Sequence, residues 1–278
     1  MKTNFVNIRT ATIIGILMLF ISCSKDDSTS VTEDSNAELT VEQTRLNAET
    51  DEATDAVFNL IEIAYAENEE MAGRNSSLFT DCVTITISSE NGVTFVTLDF
   101  GFGCQLHNGA VVSGKIHLTY GPVVAGTVTI TYVFEEFTYN NKGIAGGGTI
   151  YRERNNANGN PQSTANKAIE ISFPNGLIAT VTGTRVAEWI EGVGSGTWMD
   201  NVFLITGDRE INFSSGFTHY AIVTEALRRE ATCHYFVSGV IEITRNGTSG
   251  SLDFGDGTCD NIAILTVNGE DIIIILNH

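Results

Sequence analysis

From Cys82 onward the chain alternates between apolar and polar residues. Val83, Ile85 and Ile87 interleave with Thr84, Thr86 and Ser88. Ile116, Leu118 and Tyr120 interleave with Lys115, His117 and Thr119. Val128, Ile130, Tyr132 and Phe134 follow the same rule. A period of two puts one side of an extended strand in a core and the other in water. Further strands are expected over 147–154, 168–173, 177–188, 198–206, 209–213, 217–225, 235–244, 249–254, 260–267 and 271–276. Between these runs lie Asn-Gly pairs starting at Asn91, Asn108, Asn158, Asn175, Asn246 and Asn268. Asn-Gly suits the left-handed backbone of a tight hairpin turn. The pattern predicts an all-β fold, an antiparallel meander built as a broad twisted sheet or an up-and-down barrel. Ile272-Ile273-Ile274-Ile275-Leu276 is apolar on both faces, which predicts a central strand covered on both sides.

One helix precedes the sheet. Thr40-Val41-Glu42-Gln43 matches a capping box. Ala53, Ala56, Val57, Leu60, Ile61 and Ala64 recur at three- and four-residue steps, one apolar stripe. The helix is expected over 51–68, with an extension back to 40 broken near Asn47, and packed on the sheet by that stripe. Glu67, Glu69 and Glu70 oppose its dipole at the C-terminal end. Four segments result: 1–22, 23–39, a helical segment 40–73 and a β domain 74–278.

Two runs echo each other across the β domain. Leu98-Asp99-Phe100-Gly101-Phe102-Gly103-Cys104 opens it, and Leu252-Asp253-Phe254-Gly255-Asp256-Gly257-Thr258-Cys259-Asp260 closes it. Each ends near a cysteine, and each has another upstream, Cys82 and Cys233. Four cysteines allow three pairings. Cys82–Cys104 and Cys233–Cys259 are favoured, because each pair brackets its own Asn-Gly turn and clamps a hairpin at its open end. Each closes a loop of roughly 25 residues, worth about 3–4 kcal/mol in the chain-entropy model. Disulfides imply an oxidising compartment.

The net charge of −19 is concentrated towards the N-terminal third. It argues against nucleic acid, which demands a positive footprint. Residues 1–22 read as an export signal: Lys2 and Arg9, then the apolar run Ala11–Ile21, too short for a comfortable membrane span. Ser22-Cys23 follows, and this resembles a bacterial lipobox, whose cysteine becomes the acylated first residue. Cys23-Ser24-Lys25-Asp26-Asp27-Ser28 is similar to the export signal of Bacteroidota surface lipoproteins. The resemblance implies lipidation at Cys23, a disordered tether over 23–39 and an outer-membrane, surface-exposed location. It implies membrane attachment through the lipid and carries no activity.

Candidate chemistry is sparse. Asp253, Asp256 and Asp260 share a Gly-rich turn and could hold Ca²⁺ with backbone carbonyls. Trp189 and Trp198 flank the loop Gly192–Gly196 and could stack on a sugar. Glu135-Glu136 and Glu188/Glu191 are the acidic clusters available to a carboxylate-dependent hydrolase. The five histidines show no metal spacing, and no nucleophile elbow is present. The sequence therefore leans away from an enzyme. It suggests a surface lipoprotein acting as a binding or adhesion module for a protein or glycan ligand, with a glycan-binding accessory protein of a polysaccharide-uptake system as the alternative.

Overall fold

The computed structural model describes residues 40–70, 79–197, 199–245 and 247–276. The expected signal and tether, with Cys23, lie outside the described residues, as does Trp198.

Helix α1 spans Val41–Tyr65, and a π-helical turn carries it to Glu70. The Thr40 hydroxyl caps it by accepting from the Gln43 N–H at 3.2 Å. There is no break at Asn47: the helix runs straight through, with Asn47 fully buried. The first half of the sheet is β1 (Thr84–Glu90), β2 (Val93–Asp99), β3 (Cys104–Gln105), β4 (Val111–Tyr120), β5 (Thr127–Tyr139), β6 (Lys142–Glu153) and β7 (Gln162–Ser172). The second is β8 (Ile178–Glu191), β9 (Val202–Phe213), β10 (Thr218–Glu230), β11 (Phe236–Arg245), β12 (Thr248–Asp256), β13 (Ile262–Val267) and β14 (Glu270–Ile275). Each strand pairs antiparallel with the next, except that β2 pairs with β4; the short β3 also pairs with β4, off the main path. The sheet does not close; β1 and β14 are its edges.

The stretches 198–206 and 209–213 are one strand, β9. Gly207 adopts a positive φ of 127° and kinks the strand without ending it. The isoleucine run is also placed differently from expectation. It forms edge strand β14, not a central one. Ile274 and Leu276 face inward and are buried, while Ile273 and Ile275 are 66% and 47% exposed. Residue type alone did not separate a strand covered on both faces from an edge strand that leaves half its isoleucines in water.

The sheet curls around the helix. From Leu46 to Tyr65 every helical residue is buried. Tyr120 of β4 meets Tyr65, and Tyr132 of β5 meets Phe58, both edge to face. Arg152, Arg185, Arg209, Arg229 and Arg245, from β6, β8, β9, β10 and β11, reach it with their guanidinium groups. A flat sheet could not do this. Register shifts bend the β4–β5, β5–β6, β9–β10, β10–β11 and β11–β12 ladders. Glycines sit where backbones approach closely. A Cβ at Gly114 would lie 2.2 Å from the Glu136 carbonyl oxygen.

Both disulfides take the pairing favoured from the sequence, Cys82–Cys104 and Cys233–Cys259. The echo is also structural. Asp99 Oδ1 accepts from the Gly101 N–H at 2.9 Å, and Asp253 Oδ1 accepts from the Gly255 N–H at 2.8 Å. The following Phe100 and Phe254 are both buried, against Phe137 and Phe236.

Candidate functional site

The interior holds an ionic seam that the apolar stripe of α1 did not announce. Asp51, Asp55, Asn59 and Glu62 recur at three- and four-residue steps and form a second, polar stripe. All four are buried. Arg185 satisfies three of them. Its Nε donates to Asp55 at 2.7 Å, its Nη1 to Glu62 at 2.7 Å and its Nη2 to Asn59 at 3.1 Å. Arg209 pairs with Asp51, and Arg229 lies 3.7 Å from Asp55. Burial raises the carboxyl pKa of Glu62, and Arg185 and Arg152 hold it back. The same contest pushes Asp51 up to about 6. A buried charge stays ionised only when paired and hydrogen-bonded, and here the partners come from the sheet.

Two Gly-x-Arg runs make room for these guanidinium groups. Gly183 on β8 stands opposite Arg209 on β9, and Arg185 stands opposite Gly207. Large and absent side chains thus alternate on one face, like a checkerboard. A Cβ on Gly183 would lie 2.4 Å from the Asp208 carbonyl oxygen, and one on Gly207 2.2 Å from that of Thr184. Gly183-Thr184-Arg185 and Gly207-Asp208-Arg209 were the signal that sequence reasoning passed over.

At one end of the curl lies a narrow pocket, open to solvent, whose free space is about 30 Å³. Its floor is apolar: Leu60 and Ile63 from α1, with Phe79, Leu106 and Phe203. His107, Asn108 and Glu230 add polar groups. The two disulfide-clamped ends meet nearby. The Thr80 hydroxyl lies 3.5 Å from Cys104 Sγ, Cys233 lines the pocket, and a Cβ on Gly109 would lie 3.1 Å from His234 Nε2. Inside, the Tyr139 hydroxyl donates to Glu52 at 2.7 Å, and burial raises its pKa well above the usual phenol range.

The residues singled out from the sequence are elsewhere. Trp189 is 3% exposed and stacks on Phe203, with Arg152 6.0 Å from its ring centroid. Its faces are not open to a sugar. Asp253, Asp256 and Asp260 each cap their own turn, accepting from Gly255, Thr258 and Ile262. Among the described residues no group of three His, Cys, Asp or Glu side chains is placed to hold a metal. Glu135 bonds Lys115 and His117 across the outer surface, Glu188 accepts from Asn158 and Asn160, and Glu191 pairs with Arg228. Among the described residues no helix is long and apolar enough to cross a membrane.

Comparison with protein-family models, curated proteins and solved structures finds no match for this chain.

Proposed function

We propose that this protein is a non-enzymatic binding module, held at the outer-membrane surface by a lipid on Cys23, and that its end pocket receives the apolar tip of a small amphipathic ligand. One observation carries the reading. The pocket joins an apolar floor of Leu60, Ile63 and Phe203 to polar groups at His107, Asn108 and Glu230. Apolar concavities with few convergent polar groups are the usual form of small-ligand sites. The clamped ends beside it favour a pre-formed site, which spares the cost of ordering on binding. Glycan capture loses Trp189 as a platform, because that ring is in the core.

The test is titration of the full chain with 8-anilinonaphthalene-1-sulfonate, an amphipathic fluorescent probe. Saturable enhancement is expected, and Ile63→Trp, which fills the floor, is expected to weaken it at least tenfold while the far-UV circular dichroism is kept. Equal probe binding by a folded Ile63→Trp protein would place the ligand elsewhere.

A further inference from the structure

A second, chemically different opening lies in the wall of the sheet. The β9–β10 ladder runs regularly to Asp208↔Ile222 and resumes only at Ile205↔Leu227. Thr206 and Gly207 on one strand therefore face the four residues 223–226 on the other. Behind this break is a small pocket whose free space is about 30 Å³, room for one small ion. Thr206 at its edge is exposed and Lys167 within it is partly exposed, so the space communicates with solvent.

Lys167, Arg185 and Arg209 line it with Asp51 and Asp55; Glu62 holds Arg185 from beyond the lining, and Asp208 acts on both Lys167 and Arg209. Arg185 is fully engaged with the helix. Arg209 is not: it is 3% exposed, it gives Nη2 to Asp51, and its buried Nε–H has no partner among the described residues. Lys167 gives one proton to the Asp208 carbonyl at 3.2 Å, and an ammonium has three. Lys167, Gly183 and Arg209 occupy one cross-strand row, so nothing but a glycine separates the two cations in that row. An orphaned buried guanidinium N–H forfeits its hydration with no return, a larger penalty than for a neutral donor. A water could satisfy the donor, but an anion also makes charge-assisted bonds to both the guanidinium and the Lys167 ammonium.

We propose that this pocket binds one small monovalent anion, of halide or carboxylate-head size, between Arg209 Nε and the Lys167 ammonium. It enters through the break between β9 and β10. The site lies in the sheet wall and is independent of the end pocket. Burial draws the Lys167 amine down to about 7, so the ammonium form is abundant at pH 6.

Chloride is the probe, read on the full chain at pH 6 as excess broadening of the ³⁵Cl resonance, with acetate as competitor. The wild type is expected to broaden the line and acetate to reverse the broadening. Lys167→Met removes one cation. Arg209→Lys keeps a charge for Asp51 but removes the Nε donor. Either is expected to reduce the broadening at least fivefold while circular dichroism reports a folded chain. Unchanged broadening in both folded variants would overturn the proposal, as would its absence in the wild type. If either variant fails to fold, bromide soaked into wild-type crystals decides the matter. An anomalous peak between Lys167 and Arg209 is the expected result, and bromide bound elsewhere with this pocket empty refutes the site.

Discussion

Arg185 Nε donates to Asp55 Oδ1 at 2.7 Å across 130 residues of chain, and both side chains are buried. This pair ties the enclosed helix to the middle of the sheet that surrounds it. Asp55→Ala leaves the guanidinium partly unpaired in the core and is expected to cost about 3–5 kcal/mol. The paired change Asp55→Leu with Arg185→Met is expected to cost at least as much, because it also strips the buried Glu62 and Asn59 of their Arg185 donors. Urea unfolding of the three proteins measures this, and a double variant clearly more stable than Asp55→Ala would show that Glu62 and Asn59 do not depend on Arg185.

Gly207→Ala tests the checkerboard. The new Cβ would meet the Thr184 carbonyl oxygen at 2.2 Å, with φ at +127°. Backbone cannot step aside as a flexible side chain can, so the expected cost exceeds about 3 kcal/mol. Gly216→Ala, in a turn with φ +94° but open space around it, is expected to cost only about 1 kcal/mol. The difference between the two melting temperatures reports the close packing separately from the backbone strain.

The pH dependence has a definite sign. Lys167 is drawn from its ordinary 10.5 to about 7 by burial, with Arg209 adding to the effect. Between these values the unfolded chain holds a proton that the folded chain has released. Stability therefore rises with pH from about 7 to 10.5 through this group, and Lys167→Met is expected to flatten that rise. His219 moves in the same sense at lower pH. Burial takes it from 6.5 to about 4, so its contribution falls as the solution is acidified through that window. Asp51, raised to about 6 from 3.8, opposes it there. Chemical denaturation at pH 5, 7 and 9 in wild type and Lys167→Met separates the alkaline contribution.

Edge strand β14 gives a further expectation. Ile273 and Ile275 stand beside Ile264 and Ile262 on the outer face, in cross-strand register, and all four are exposed. An unpaired edge with an apolar face templates association. Ile273→Lys is expected to change stability by less than about 0.5 kcal/mol. It should also lower the concentration-dependent light scattering of the chain.

The meander was legible because alternation and Asn-Gly turns are local signals. Asn91-Gly92 and Asn268-Gly269 both adopt the positive φ angles such turns require. The disulfides were legible for the same reason, as each clamps one hairpin. The interior was not. Asp51, Asp55 and Glu62 look like solvent-facing acids until a partner is supplied, and their partners lie more than 100 residues away. The helical stripe Ala53–Ala64 showed one buried face, and nothing local indicates that the opposite face is enclosed as well. The placement of Ile272–Leu276 failed because hydrophobicity reports what could be buried, not which strand comes last in a sheet that stays open.

The enclosure of α1 has a consequence in time. The helix is made before every described strand, yet Arg185, Arg209 and Arg229 must all be synthesised before its acids are matched. Until then an amphipathic segment with two conflicting stripes has no stable place of its own, since an isolated helix in water is marginal. Closing loops of this length ahead of any reward slows the search for the native state. Refolding is therefore expected to show early strand formation and a late, slow phase in which helix burial and ion pairing arrive together. The first of the described elements is the last to find its setting.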